Sequence, residues 1–252
     1  MKKKTIYYTS FEQDLVTATQ QDYVLPTDYL WEKNQFLSWL TRHGVKGLAK
    51  LFCPFYLHWH KAKDTREKRL PDQGCYLYVN HTQTVGDALI PYYLLKKKWP
   101  AIIVSPANLS LPIIGSLIPY GGGLPIPNNL RQMRKFNQTV ARNIAHNRCV
   151  VIYPEAHVWP YYTKIRPFSA GAFHYPAQDN APVYCLTNTY QKQKFGRKPQ
   201  ITSYLDGPFF APAELTLQER RQNLQEQVQK CMQERSQKST YSYIDYQRRE
   251  AK

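Results

Sequence analysis

Two short segments hold residues able to do chemistry. One is NHTQTVGD, Asn80 to Asp87, and the other is YPEA, Tyr153 to Ala156. Each follows a short apolar run that reads as a buried strand, CYLYV (75–79) and CVVIY (149–153). In α/β sheets, reactive groups collect where strands end and helices begin. The pattern therefore predicts that His81, Asp87 and Glu155 are delivered to one edge of a sheet. A His oriented by a carboxylate is a neutral imidazole able to take a proton from a hydroxyl. His81 is accordingly the candidate general base, and Asp87 its orienting partner. Five residues separate the two. A turn in TQTVG, with Gly86 its natural flexible point, must aim Asp87 at His81. GSL (115–117) lacks the Gly-x-Ser-x-Gly of a nucleophile elbow, so no protein nucleophile is assigned. His81, Asp87, Glu155 and His157 fit no zinc spacing, and no metal is expected.

The surrounding pattern says what positions these groups. Strand-like runs AIIVS, CVVIY, APVYCLTN and QITSYL alternate with helical patterns. Met133, Phe136, Val140 and Ile144 recur at helical spacing, and Thr216 with Glu219 forms a capping box before Leu217, Leu224, Val228 and Cys231. This alternation predicts an α/β fold: a single-domain sandwich with a mostly parallel central sheet flanked by helices, plus N-terminal aromatic helices. Residues 1–70 are expected to form an N-terminal arm and aromatic helices, with a possible membrane-interface element. Residues 71–211 form the catalytic core, and 212–252 a C-terminal helix and tail packed on or extending from it. Within the first part, residues up to 25 read as a loosely held arm. A helix capped at Thr27 or Asp28 is expected to run to about Arg42 and stop at Gly44. A second apolar segment follows, broken at Pro54. The tail from Ser239 shows no readable pattern.

Composition narrows the class. The chain has 252 residues, 42% of them hydrophobic, enough for a full core. The uncharged stretch Trp99–Leu130 holds six Pro and four Gly, which excludes a continuous membrane helix. MKKK is followed by polar residues, so no signal peptide is expected. The five Cys form no Cys-x-x-Cys pair and read as buried reduced thiols, as in a cytoplasmic protein. The net charge of +16 favours anionic partners: lipid headgroups, coenzyme A phosphates or an acidic carrier protein. Nucleic acid is anionic too, but no nucleic-acid motif is present, and none is expected as a partner. Trp31, Phe36, Trp39, Phe52, Phe55, Tyr56 and Trp59, with basic neighbours, suit either a membrane interface or packing on the sheet.

Several of these segments together resemble the glycerolipid acyltransferase family, of the 1-acylglycerol-3-phosphate acyltransferase type. Its His-x4-Asp and Phe-Pro-Glu-Gly-Thr motifs match His81, Asp87, Pro154 and Glu155, with a variant His-x5-Asp spacing. YGGGLPIP (120–127) is similar to its Gly-Gly segment, KIRPFSAGAF (164–173) to its later basic segment, and APVYCLTN (181–188) to the strand beyond. The resemblance implies general-base catalysis by His81 and Asp87, and acceptor positioning by Glu155. His157 stands where the family has Thr and is a second acceptor candidate. The family's two phosphate-binding arginines fall near Asn128 and at Val158, so Arg131, Arg134, Lys164 and Arg166 are the candidate substitutes. The donor would be acyl-CoA or acyl carrier protein, a co-substrate with no bound cofactor. The acceptor would be a lipid hydroxyl, with 1-acylglycerol 3-phosphate the leading named choice and a neutral or glycolipid hydroxyl the variant. The enzyme would be cytoplasmic and peripherally attached to an anionic membrane surface. A non-catalytic lipid-binding protein on the same fold is the alternative.

Overall fold

The computed structural model describes residues 3–17, 20–67, 69–194, 196 and 198–250. Met1, Lys2, Ala18 and Thr19 of the arm, Lys68, Phe195, Arg197, and Ala251 and Lys252 of the tail lie outside the described residues. The chain opens with strand β1 (Lys4–Tyr8) and helix α1 (Gln35–Phe55). Strands β2 (Trp59–Lys61) and β3 (Cys75–Val79) lead to α2 (Gly86–Leu94) and β4 (Pro100–Val104). The Pro- and Gly-rich stretch folds as a one-turn helix α3 (Ile114–Leu117) and strand β5 (Gly123–Pro125). Helix α4 (Leu130–Ala145), strand β6 (Cys149–Ile152), helix α5 (His174–Asp179) and strand β7 (Val183–Gln191) follow. Strand β8 (Gln200–Phe209), helix α6 (Leu217–Ser236) and strand β9 (Ile244–Arg248) complete the chain.

Seven strands form one sheet in the order β2-β8-β7-β3-β6-β4-β5. Every neighbouring pair is parallel except β7 with β8. Alternate side chains of β3 feed two cores, as the two-residue period of a strand requires. Cys75, Leu77 and Val79 pack with Ala49 and Cys53 of α1 and Leu89 and Ile90 of α2. Tyr76 and Tyr78 pack on the other face with Phe136 and Val140 of α4 and Leu224 and Val228 of α6. The Thr216–Glu219 capping box opens α6, while Leu217 lies outside the core, exposed.

The N-terminal region departs from expectation in three ways. First, α1 is one helix rather than two. Thr27 and Asp28 sit in a turn, and the cap is Asn34, whose side chain accepts from Leu37 N–H at 3.1 Å. Glycine costs a helix about 1 kcal/mol relative to alanine. Burial of Ala49 and Cys53 outweighs that at Gly44 and Gly47, so the helix runs through both. Pro54 sits in the last turn, where only Phe55 follows it in the helix. Second, Trp31 and Trp59 are core residues. Their indole N–H groups donate to Pro125 O at 2.9 Å and Ser203 Oγ at 2.6 Å. Third, the arm and the tail hold each other: β1 pairs in parallel with β9, in register from Lys4 with Ile244 to Tyr8 with Arg248.

Candidate active site

His81 lies in the loop that leaves the C-terminal end of β3, and Asp87 in the first turn of α2. His81 Nδ1 is 2.7 Å from Asp87 Oδ2. A carboxylate only accepts, so the proton on this edge sits on Nδ1, and Nε2 keeps its lone pair. The same carboxylate oxygen accepts the Gln83 N–H at 2.9 Å, and the Asp87 N–H donates to Gln83 O at 3.2 Å. This closed turn absorbs the additional residue. Gly86 contributes by close approach rather than by an unusual φ: a Cβ there would lie 2.9 Å from both Gln83 Cβ and Leu57 Cδ1. Asp87 is 3% exposed. Burial raises its pKa, opposed by the hydrogen bond from His81.

A second loop, after β6, grips the first. Glu155 Oε2 accepts the His81 backbone N–H at 2.8 Å, and Trp159 N–H donates to His81 O at 3.0 Å. Both backbone groups of the candidate base are therefore fixed. Glu155 in turn accepts from Arg166 N–H at 2.8 Å and from its guanidinium at 3.4 Å. Arg166 also donates to His157 O and to Phe11 O. The Tyr153 ring stacks on His81 with centroids 4.4 Å apart, and its hydroxyl donates to Asp87 O. On the β7 side, Asn80 and the Asn188 backbone exchange two hydrogen bonds, of 3.0 and 2.7 Å. The Tyr190 hydroxyl donates to Thr82 Oγ1 at 2.6 Å and accepts from Gln83 Nε2 at 3.0 Å. Asn80, Tyr153, Trp159 and Tyr190 carry no reactive chemistry of their own, and sequence reasoning passed them over. The hint for Tyr153 and Asn80 was position alone: each adjoins a strand end beside a motif.

The remaining sequence-derived candidates divide. Glu155 and Arg166 are 4% and 1% exposed and face each other, so Arg166 is held by Glu155 and is turned away from solvent. Each is perturbed by burial first: Glu155 is pushed up and Arg166 down, and each opposes the other's shift. His157 is half-buried with Nδ1 2.5 Å from Asp14 Oδ1 of the arm, a contact that sequence spacing could not reveal. Asn128, Arg131, Arg134 and Lys164 are exposed, and none hydrogen-bonds to His81, Asp87 or Glu155 among the described residues. Ala156 adopts φ 62°, the left-handed region a glycine enters freely and an L side chain resists. All five Cys are free and buried. Cys185, Asp206 and Cys231 place ligand-type atoms within 4.8 Å of one another, but Asp206 is taken up by Arg235, at 2.6 and 2.9 Å.

A parallel-rich sheet with a His–Asp pair and a Pro-Glu loop at one strand edge is the architecture of an acyltransferase. The family model described as Acyltransferase matches residues 61–188, just over half the chain, and the chain belongs to that family. Its fold is similar to the crystal structure of the 1-acyl-sn-glycerophosphate (LPA) acyltransferase, PlsC, from Thermotoga maritima. The TM-score is 0.57 with 13% sequence identity, covering 83% of this chain and 86% of that one. No curated protein matches the chain.

Proposed function

We propose that this acyltransferase moves a fatty acyl group from a thioester, acyl-CoA or acyl carrier protein, to a hydroxyl of a lipid or lipid precursor. The observation that carries the reading is the 2.7 Å contact from His81 Nδ1 to Asp87, which leaves Nε2 as the base. Nε2 removes the proton of the acceptor hydroxyl while its oxygen attacks the thioester carbonyl. The tetrahedral intermediate then expels the thiolate, and the imidazolium returns the proton to sulfur. Asp87 holds the tautomer and offsets the imidazolium charge. The test is thioester consumption with a panel of hydroxyl lipids. No acceptor-dependent release of thiol with any of them would overturn the reading.

The acceptor's headgroup is the finer question. A phosphate in a partly dry site calls for Arg or Lys in good geometry. If lysophosphatidate is the acceptor, the exposed Arg131 and Arg134 at the start of α4 are the remaining contacts, with Lys164. Losing one such contact costs about 1.5–3 kcal/mol, so Arg131→Ala with Arg134→Ala should raise its KM at least tenfold. Unchanged kinetics would favour a neutral or glycolipid hydroxyl. That second reading draws on two observations: Val158 occupies one family arginine position, and Arg166 is committed to Glu155.

The acceptor would be met at an anionic membrane, with the enzyme cytoplasmic and peripheral. Among the described residues no helix is long and apolar enough to cross a bilayer. Helix α1 is apolar on two faces. Ala49 and Cys53 meet the core, while Phe36, Trp39, Leu40, Leu51 and Phe55 face outward, Phe55 being 73% exposed. An exposed apolar face of this size marks a surface that meets a second partner, and Lys46 and Lys50 on the same helix favour an anionic surface. Co-sedimentation with anionic vesicles should weaken as salt rises. Burying a large apolar side chain contributes about 1.5–3 kcal/mol, so Phe55→Ser should weaken vesicle binding roughly tenfold. Equal binding to neutral and anionic vesicles, or none, would count against this.

A further inference from the structure

Strands β3, β4 and β6 start together at the sheet edge opposite the dyad, with Cys75, Pro100 and Cys149 in register. At that starting edge Lys97, Lys98, Trp99, His146 and Arg148 line a depression of about 390 Å³, with Asp72 its one acid. At about 3.3 Å per residue, the six steps from Cys75 to His81 put it roughly 20 Å from the catalytic candidate. Arg42 of α1 lies beside Gly122, at the start of β5, and near enough to Arg148 for the two charges to oppose each other. Arg42 Nε is buried with no acceptor. Among the described residues none of these cations has a carboxylate within 4.0 Å. Lys98 donates to Gln73 O and Arg148 to Asn143 Oδ1 at 3.0 Å, neutral acceptors that leave the charges uncompensated, and Arg42 and Arg148 are half-buried. Such a cluster is stabilised by an entering oxyanion.

The surroundings say what carries the oxyanion. Lys46 Nζ lies 4.9 Å from the Trp99 ring centroid, and the His43 ring 5.0 Å from it. His43 in turn packs at 4.4 Å on Trp39, which belongs to the exposed apolar face of α1. The cationic depression and the apolar face are therefore continuous. We propose that this depression binds the phosphate of an anionic phospholipid headgroup, at a site separate from acyl transfer. It deepens the membrane reading above: the first half of α1 lies beside a discrete headgroup site, and Leu57, just past its C-terminal end, approaches Gly86 in the turn that holds Asp87.

The test uses the full chain and soluble ligands. Dihexanoylphosphatidylglycerol below its critical micelle concentration should titrate a single saturable site, with dihexanoylphosphatidylcholine and inorganic phosphate at least tenfold weaker. Lys97→Glu with Lys98→Glu should weaken the phosphatidylglycerol by about tenfold or more, since each basic residue at an anionic surface contributes comparably. Lys230→Glu, an exposed site on α6 across the sheet, should change it by less than about twofold at ordinary ionic strength. Should the double variant fail to fold, the exposed Lys97→Glu carries the same comparison. An equal effect of Lys230→Glu would mean diffuse attraction and overturn the site. Inorganic phosphate binding as tightly as the lipid would overturn the headgroup assignment, as would absence of saturation. Saturable lipid binding by a chain that ignores anionic vesicles would sink the membrane reading and leave the site standing.

Discussion

His81→Ala is expected to lower acyl-transfer turnover by about a hundred- to ten-thousand-fold, the contribution of a positioned general base. The ring is at the site surface, stacked on Tyr153, while the backbone bonds to Glu155 and Trp159 survive the substitution. Far-UV circular dichroism should therefore stay close to that of the parent protein, while the melting temperature falls modestly because the buried Asp87 keeps only the Gln83 N–H. Asp87→Asn should reduce turnover as well, because an amide can donate as well as accept and no longer fixes the proton on Nδ1. The two groups act as a unit, so His81→Ala combined with Asp87→Asn should cost little more than His81→Ala alone. Multiplying effects would show that Asp87 acts elsewhere, and an active His81→Ala protein would remove His81 from the chemistry.

The elements that position this pair were readable because they are local. CYLYV is a strand, CVVIY is one up to Ile152, and the motifs sit at their ends, as a parallel sheet requires. The spacing of Phe136 and Val140 marks the buried face of α4 for the same reason. What stayed hidden depends on distant partners. Gly44 reads as a stop until Ala49 and Cys53 are seen buried against α2. The Tyr-rich tail reads as patternless because β9 finds its partner in β1, at the far end of the chain. Arg166 reads as a phosphate ligand because charge is all that a sequence displays. Its direction is set by Glu155, eleven residues earlier, and by the termini around it. Trp159, against which Arg166 stacks, packs between Tyr8 of the arm and Tyr246 of the tail. The arm thus belongs to the supporting frame of the site.

That frame makes a second large effect predictable. Removing one partner of a buried ion pair leaves the other charged and unpaired, at a cost of about 3–5 kcal/mol. Arg166→Ala should therefore lower the unfolding free energy by that order in urea titrations at neutral pH. Glu155→Gln keeps the size and one acceptor oxygen, so it should fold, but it leaves Arg166 without a counter-charge. Turnover should fall in this variant through looser placement of the His81 backbone, with KM for the thioester little changed. The pH dependence separates the carboxylate's charge from its shape. Burial raises the Glu155 pKa above its ordinary 4.5, against the pull of Arg166. From about that pH up to the raised value the native state binds more protons than the unfolded chain. Unfolding free energy must then fall as pH rises through the window. Glutamine cannot titrate, so Glu155→Gln should lose this part of the slope, whereas the contribution of Asp87, also raised by burial, remains. Urea titrations of both proteins at a series of pH values decide it. Identical slopes would mean that Glu155 binds its proton equally in the folded and unfolded chains.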